Sequence, residues 1–289
     1  MSNDKEQYEN SELYRIRHST SHIMAQAVLE KFPGAKVAIG PAIDDGFYYD
    51  FDLPRPLTLE DLESIEKRMR GIIQSGVTFE RKVVSADEAK EIFHDQPYKI
   101  ELIEGLESGN LDEDGNEVSE KPEISIFAHE GFADLCRGPH VENSRQINPA
   151  AVKLLNVAGA YWRGDEKRPM LQRIYGTVWK TPQELKDYLW RQEEAKKRDH
   201  RKIGQELDLF SVNDEVGAGL ILWHPKGGRI RKLIENFWSE EHEKNGYDFV
   251  YTPHIGKAHL WEMSGHLGFY KENMYAPLDI DGQQFFLKP

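Results

Sequence analysis

Two histidines four residues apart, His18 and His22, lie in a stretch of helical periodicity, so both imidazoles leave one face of the predicted helix. Far downstream the same offset recurs in Asp134-Leu135-Cys136-Arg137-Gly138-Pro139-His140, where Gly138-Pro139 predicts a loop or turn. The two pairs supply three imidazoles and one thiol. That inventory suits a tetrahedral Zn²⁺ site and equally a metal-free hydrolytic pocket, and nothing in the spacing forces a metal. A metalloprotease pattern fails, because Ser19 and not glutamate follows His18. A cysteine-protease dyad would leave the two upstream histidines without a role. Farther on, Ala160-Tyr161-Trp162-Arg163-Gly164-Asp165 and Leu171-Gln172-Arg173-Ile174-Tyr175-Gly176 set aromatics beside arginines in glycine-marked turns. Such residues pack a turn, or stack an RNA base and hold a phosphate.

These residues need a scaffold, and the composition bounds it. The chain has 289 residues, 39% of them hydrophobic, which allows one large domain or two ordinary ones with buried cores. Cys136 is the single cysteine, so there is no intrachain disulfide and no multi-cysteine zinc site. No apolar run approaches the roughly 20 residues a membrane helix needs. The first ten residues are polar and acidic, unlike a secretory signal, so the cytoplasm is the expected compartment. With 37 Lys+Arg against 50 Asp+Glu the formal charge is −13, which argues against wholesale coating of nucleic acid but leaves room for a local basic face.

Alternating helix and strand signals predict an α+β or α/β chain. A helix is predicted over 13–31, ended by Phe32-Pro33-Gly34, followed by short strands at Val37-Ala38-Ile39 and Phe47-Tyr48-Tyr49-Asp50-Phe51. Thr58 caps a helix that reaches Ser75 and stops at Gly76, and Ser85 with Glu88 opens a shorter one. Between Glu101 and Glu123, nine acidic residues against one lysine predict a solvated, mobile loop or hairpin. Thr181-Pro182-Gln183-Glu184 starts a largely polar helix expected to continue through Lys196-Lys197-Arg198 and His200-Arg201-Lys202, a bridge between domains with a basic end. An amphipathic helix is predicted over 228–244, with Ile230, Leu233, Ile234, Phe237 and Trp238 on its stripe. A strand Tyr247–Tyr251 and a terminal strand from Gln284 to Leu287 are expected after it.

Taken in order, these motifs resemble the threonyl-tRNA synthetase family of bacterial type. His18-x3-His22, the run Ile39-Gly40-Pro41-Ala42-Ile43-Asp44-Asp45-Gly46-Phe47-Tyr48-Tyr49-Asp50, Cys136 to His140 and Ala160 to Asp165 look like its editing domain. Lys197 to Gly204 looks like the linker into its catalytic domain, and Gly268 to Met274 with Leu287-Lys288-Pro289 like the first part of that domain.

The resemblance implies an α+β threonyl/alanyl-tRNA synthetase second-additional-domain editing fold over 11–180 after an N-terminal tail of 1–10, its 150–180 segment completing the pocket. It implies a linker helix over 181–202, then over 203–289 the start of a class II synthetase antiparallel-sheet fold, truncated, with motif 1 and its dimer-interface residue Pro253. His18, His22, Cys136 and His140 would line a pocket that hydrolyses Ser-tRNA(Thr). Asp134 would take the substrate amino group, and Lys99 the terminal adenosine or the oxyanion. Arg137, Tyr161, Arg163, Lys197, Arg198 and Arg201 would bind substrate or tRNA. Editing needs no cofactor. ATP, Mg and Zn belong to the parent synthetase, and the resemblance places their binding residues beyond Pro289, so the chain as it stands is not expected to aminoacylate. Implied partners are tRNA(Thr) and its aminoacylated 3′ end, serine or threonine, and a second copy in the parent homodimer, with no membrane.

Against the family pattern, three departures are expected: the small N-terminal ubiquitin-like domain is missing, the sequence stops at Pro289 before the Asn-Cys-Pro segment, and Phe127 stands where many bacterial members place a pocket tyrosine. Two other readings compete. A free-standing alanyl-type trans-editing factor would bind zinc through the same four residues, although the class II-like segment from 203 speaks against it. A catalytically silent tRNA-binding fragment would bind without turnover.

Overall fold

A computed structural model describes residues 8–108 and 123–288. Residues 109–122 and Pro289 lie outside the described residues, and with them most of the acidic segment and the end of the Leu287-Lys288-Pro289 motif. The chain divides into two compact units, residues 1–197 and 198–289.

The first unit is built around helix α1 (Glu12–Lys31), capped by Ser11, whose side chain accepts from the Tyr14 amide. Every residue from Ile16 to Val28 is buried, so α1 is an interior helix and not an amphipathic surface one. Its buried hydroxyls are satisfied: Thr20 donates to the Ile16 carbonyl, and Ser21 to the His18 and Gly40 carbonyls.

Strands β1 (Lys36–Val37), β2 (Ala42–Ile43) and β3 (Gly46–Asp52) follow, then helix α2 (Leu59–Ser75). α2 carries a reciprocal Thr58/Asp61 capping box and ends at Gly76 in the left-handed region, where glycine meets no Cβ penalty. The main sheet is antiparallel with order β1–β3–β8–β7, where β7 is Val152–Tyr161 and β8 Met170–Val178, and β2 pairs beside β3. Phe47, Tyr49 and Phe51 alternate inward from β3 and pack with Ile23, Met24, Ile65 and Met69 of the two helices.

A second antiparallel sheet comprises β4 (Glu80–Val83), β5 (Ser125–His129) and β6 (Phe132–Leu135). Beside it, α3 (Ala86–Ile92) and α4 (Pro97–Ser108) form a smaller core with Trp162 and Leu171. Helix α5 (Pro182–Lys197) opens on the Thr181/Glu184 capping box, with both reciprocal hydrogen bonds in place. The second unit holds α6 (His200–Glu206), a hairpin of β9 (Phe210–Val212) and β10 (Ile221–Trp223), then α7 (Pro225–Lys244). An antiparallel sheet of order β11–β13–β12 follows, from Ile255–Lys257, Gln283–Leu287 and Leu278–Ile280, with α8 (Ala258–Met263) between β11 and β12.

Three expectations are corrected. The segment 181–202 is not one helix: α5 ends at Lys197, and Asp199 starts α6 by accepting from the Arg201 amide, because a side-chain acceptor at that position competes with continued helix. Residues 101–108 are not loop but the body of α4, where Leu102, Ile103 and Leu106 bury a stripe beneath the acidic residues. Residues 247–251 form no strand: no described residue pairs with them, and Val250 and Tyr251 are exposed. The stripe of α7 is itself exposed in this unit, from Ile230 to Trp238.

Candidate active site

Three distant stretches of the first unit meet at one cavity of about 310 Å³. α1 contributes Tyr14, His18 and His22, the turn before β2 contributes Ile39-Gly40-Pro41, and the loop after β6 contributes Cys136 to Pro139. Lys99 of α4 and Asp134 of β6 complete the wall. Asp134 and Leu135 reach the cavity at the end of β6, and the irregular chain after it brings Cys136 to Pro139.

The thiol joins the two sequence pairs. Cys136 Sγ lies 3.3 Å from His18 Nε2 and 3.3 Å from His140 Nε2, and it accepts from the Gly138 amide at 3.2 Å. Possible ligand atoms of His18, His22, Cys136 and His140 all lie within 4.8 Å of one another. His140 adjoins the wall through the Cys136 thiol, stacked on Phe79 with centroids 5.2 Å apart and held through Nδ1 by Ser19 Oγ at 3.1 Å. Phe127 packs on His140 at 4.4 Å and is absent from the cavity lining.

A second cluster surrounds Asp134. Its Oδ1 meets Lys99 Nζ as an ion pair, its Oδ2 accepts from Tyr49 OH at 2.6 Å, and His22 Nε2 lies 3.4 Å from Oδ2. Lys99 and Asp134 are each only 2% exposed, so the pair is desolvated and its geometry fixed by burial. Burial lowers His18 to about 4, and burial with the neighbouring histidines holds His22 and His140 well below the ordinary value. All three are therefore neutral at pH 7, with a lone pair on each ring. Burial and the Asp134 charge push the Tyr49 phenol well above its usual range, so it remains a donor.

Of the sequence-predicted residues, His18, His22, Cys136, Asp134, Lys99 and Arg137 line the cavity. Tyr161 and Arg163 do not: Tyr161 is exposed at the end of β7, and Arg163 Nε lies 3.2 Å from Glu101. No residue of 150–180 lines the cavity, so that segment supports the pocket through sheet pairing and does not wall it. Lys197 pairs with Glu194, Arg201 with Asp199, and Arg198 lies between α5 and α6. Pro253 is exposed in the second unit.

Sequence reasoning missed Tyr49 and Ser19. Tyr49 was signalled by the alternation of β3, which sends residue 49 inward with Phe47 and Phe51; Ser19 carried no signal apart from its place between the histidines. Gly138 has φ +83°, and a Cβ there would stand 2.9 Å from the Phe127 ring. Gly138→Ala should therefore cost about 1–3 kcal/mol and displace the Cys136–His140 loop. Urea unfolding measures this cost, and a loss under about 0.5 kcal/mol would contradict it.

The chain has known relatives. Residues 124–175 match the family described as the threonyl and alanyl tRNA synthetase second additional domain. Over 277 residues the chain is 54% identical to the threonine–tRNA ligase of Borreliella burgdorferi (strain ZS7), an alignment covering 96% of this chain and 46% of that protein. It is 53% identical over 285 residues to the threonine–tRNA ligase of Borrelia garinii subsp. bavariensis, covering 99% and 47%. The chain thus spans about half the length of the curated relatives it matches. Among solved structures, the RNA binding domain of threonyl-tRNA synthetase from Cryptosporidium parvum Iowa II is 37% identical, covering 32% of this chain and 23% of that one. Its TM-score of 0.31 is too low to bear on the fold. No described helix is long and apolar enough to cross a membrane. The resemblance drawn from the motifs therefore holds along almost the whole sequence: the chain is similar to threonyl-tRNA synthetases over nearly all of its length, and its match to the second additional domain falls inside its first unit.

Proposed function

We propose that the cavity hydrolyses the ester of Ser-tRNA(Thr), removing serine that a threonine-specific synthetic site has attached in error. One observation carries the reading: His18, His22, Cys136, Asp134 and Lys99 meet at a single cavity large enough for a seryl ester and part of a ribose. The physical need is clear. Serine lacks one methyl of threonine, and a methyl discriminates by only about 1–3 kcal/mol, so a binding site alone accepts both.

Hydrolysis requires an oriented water, a proton acceptor and stabilisation of the developing oxyanion. Asp134 offers a fixed negative charge to the substrate's α-ammonium group. Lys99 offers the cation nearest a developing oxyanion. The neutral imidazole of His18 and the Cys136 sulfur hold the water. A histidine lowered to about 4 is a weak base, so orientation and charge stabilisation outweigh proton abstraction here, and the adenosine hydroxyl contributes beside the side chains. The partners are tRNA(Thr) through its aminoacylated 3′ end, and serine or threonine. The parent protein would ligate threonine to tRNA(Thr) with ATP, Mg and Zn as a homodimer in the cytoplasm. Its second unit would begin the class II catalytic fold, with Pro253 and the exposed face of α7 at the dimer surface.

Deacylation of Ser-tRNA(Thr) tests the reading. The His18→Ala/Cys136→Ala double variant should lose at least 100-fold in rate, on the scale of losing positioned catalytic groups. Wild-type rates in that variant refute the assignment. The donor set also fits zinc, since four candidate ligand atoms lie within 4.8 Å and thiolate with imidazole is a usual tetrahedral combination. His18, His22, Cys136 and His140 would hold it. Stoichiometric zinc in the purified protein, with deacylation lost to a chelator, selects the metal-dependent alternative. tRNA binding without turnover selects a silent binding fragment.

A further inference from the structure

The turn between β7 and β8 contributes nothing to the cavity wall, yet its charged side chains converge on one residue of the helix that carries Lys99. Glu101 accepts from Trp162 Nε1 at 3.0 Å and from both terminal nitrogens of Arg168 at 2.9 and 2.6 Å, and Arg163 Nε stands 3.2 Å away. Three residues of one turn thus hold a single carboxylate. A bidentate arginine fixes direction as well as distance.

The turn is itself rigid. The Trp162 amide donates to the Pro169 carbonyl, Arg168 to Asp165, and Lys167 to the Asp165 side chain. Arg163 holds φ +54°, which a non-glycine residue keeps only where its surroundings impose it. Trp162 is buried and meets Tyr98 edge-on at 5.1 Å, while Tyr98 OH donates to Asp52 at 2.9 Å.

Lys99 and Glu101 are two positions apart on α4, and each position turns the helix by about 100°, so the two side chains leave nearly opposite faces. Glu101 therefore faces away from the cavity, and fixing its carboxylate fixes the roll and height of α4 about its axis. We propose that Glu101, gripped by Trp162, Arg163 and Arg168, is a positioning residue that sets α4 so that Lys99 Nζ stays on Asp134. This rests on the hydrolytic reading of the cavity. It assigns Arg163 a part in that site through α4, in place of a contact with RNA.

The test uses the full chain with Glu101→Ala and the milder Glu101→Gln, which keeps an acceptor for Trp162 but removes the charge the arginines hold. The first readout needs no activity. Acetylation of Lys99 by N-hydroxysuccinimidyl acetate, followed by mass spectrometry well below the unfolding midpoint, should be about tenfold faster in Glu101→Ala and intermediate in Glu101→Gln. The exposed Lys196 serves as the internal standard. The second readout is Ser-tRNA(Thr) hydrolysis, where kcat should fall about tenfold with KM for the tRNA unchanged, since a misplacement near 1 Å costs up to 100-fold. Placed on a Lys99→Met background, Glu101→Ala should cost nothing more. Wild-type Lys99 acetylation in both variants overturns the proposal, as does an equal loss of kcat with and without Lys99. If the wild-type chain fails to hydrolyse Ser-tRNA(Thr), the hydrolytic reading falls, and the acetylation arm still decides whether Glu101 positions Lys99.

Discussion

Lys99→Met should destabilise the first unit by about 3–5 kcal/mol, the cost of leaving one partner of a buried ion pair without the other. Lys99 and Asp134 are both 2% exposed, so water cannot replace the lost ammonium. Tyr49 and His22 remain beside the carboxylate, but a phenol and a neutral imidazole supply no countercharge. Asp134→Asn added to Lys99→Met removes the orphaned charge and should recover a substantial part of the loss. Urea unfolding of the three proteins measures it, with the slope checked for constancy. A Lys99→Met loss under about 1 kcal/mol would mean that water or relaxation solvates Asp134 after all. The same substitution abolishes the charge proposed to stabilise the oxyanion, so stability and deacylation should fall together.

Acid should unfold the first unit well before its carboxylates are protonated. His18 and His129 are each lowered from 6.5 to about 4 by burial, and His22 and His140 are held well below 6.5 by burial and their neighbouring histidines. In the unfolded chain these four rings bind protons below pH 6.5, whereas in the folded chain His18 and His129 resist protonation until about pH 4 and His22 and His140 are likewise disfavoured as cations. The unfolded state therefore holds more protons across that window, and stability falls as pH drops through it. For His18 and His129 alone the difference of 6.5 − 4 corresponds to about 3 kcal/mol each by pH 4. Set against a usual stability of about 5–15 kcal/mol, two to four such groups suffice to unfold the domain between pH 6 and 4. Urea midpoints at half-unit pH steps measure the slope. A midpoint unchanged between pH 7 and 5 would show that these rings titrate normally and are not enclosed as described.

The parts of this chain that could be read from sequence are those fixed locally. Thr58 with Asp61 and Gly76, and Thr181 with Glu184, bracket their helices through contacts within four residues, so their signals are complete in the sequence. The histidine and cysteine pairs were legible as chemistry because offset and residue type suffice, and the cavity joins them. What failed depends on partners far along the chain. Acidic residues of α4 masked Leu102, Ile103 and Leu106, which are buried in a core shared with distant residues such as Ile126, Leu135, Trp162 and Leu171. The Glu101 carboxylate that stands 3.2 Å from Arg163 is another distant partner the local sequence did not signal. Strand character in 247–251 was genuine propensity without a neighbouring strand to pair. The Phe79 and Phe127 rings that hold His140 against Cys136 are likewise distant in the chain and carried no local signal.

The central pairing of the main sheet sets Asp50 of β3 opposite Arg173 of β8, 123 residues apart in the chain, and His140 reaches Ser19 across 121. A domain joined by such distant pairs pays the entropy of closing long loops before its contacts reward it, and it folds slowly for its size. On the ribosome, α1 emerges with an almost wholly buried surface, before the strands and loops downstream that cover it. Its apolar residues must wait for more than a hundred further residues, through which the nascent chain is open to aggregation or to chaperone capture. The helix that bears the first two histidines is thus made well before the residues that enclose it.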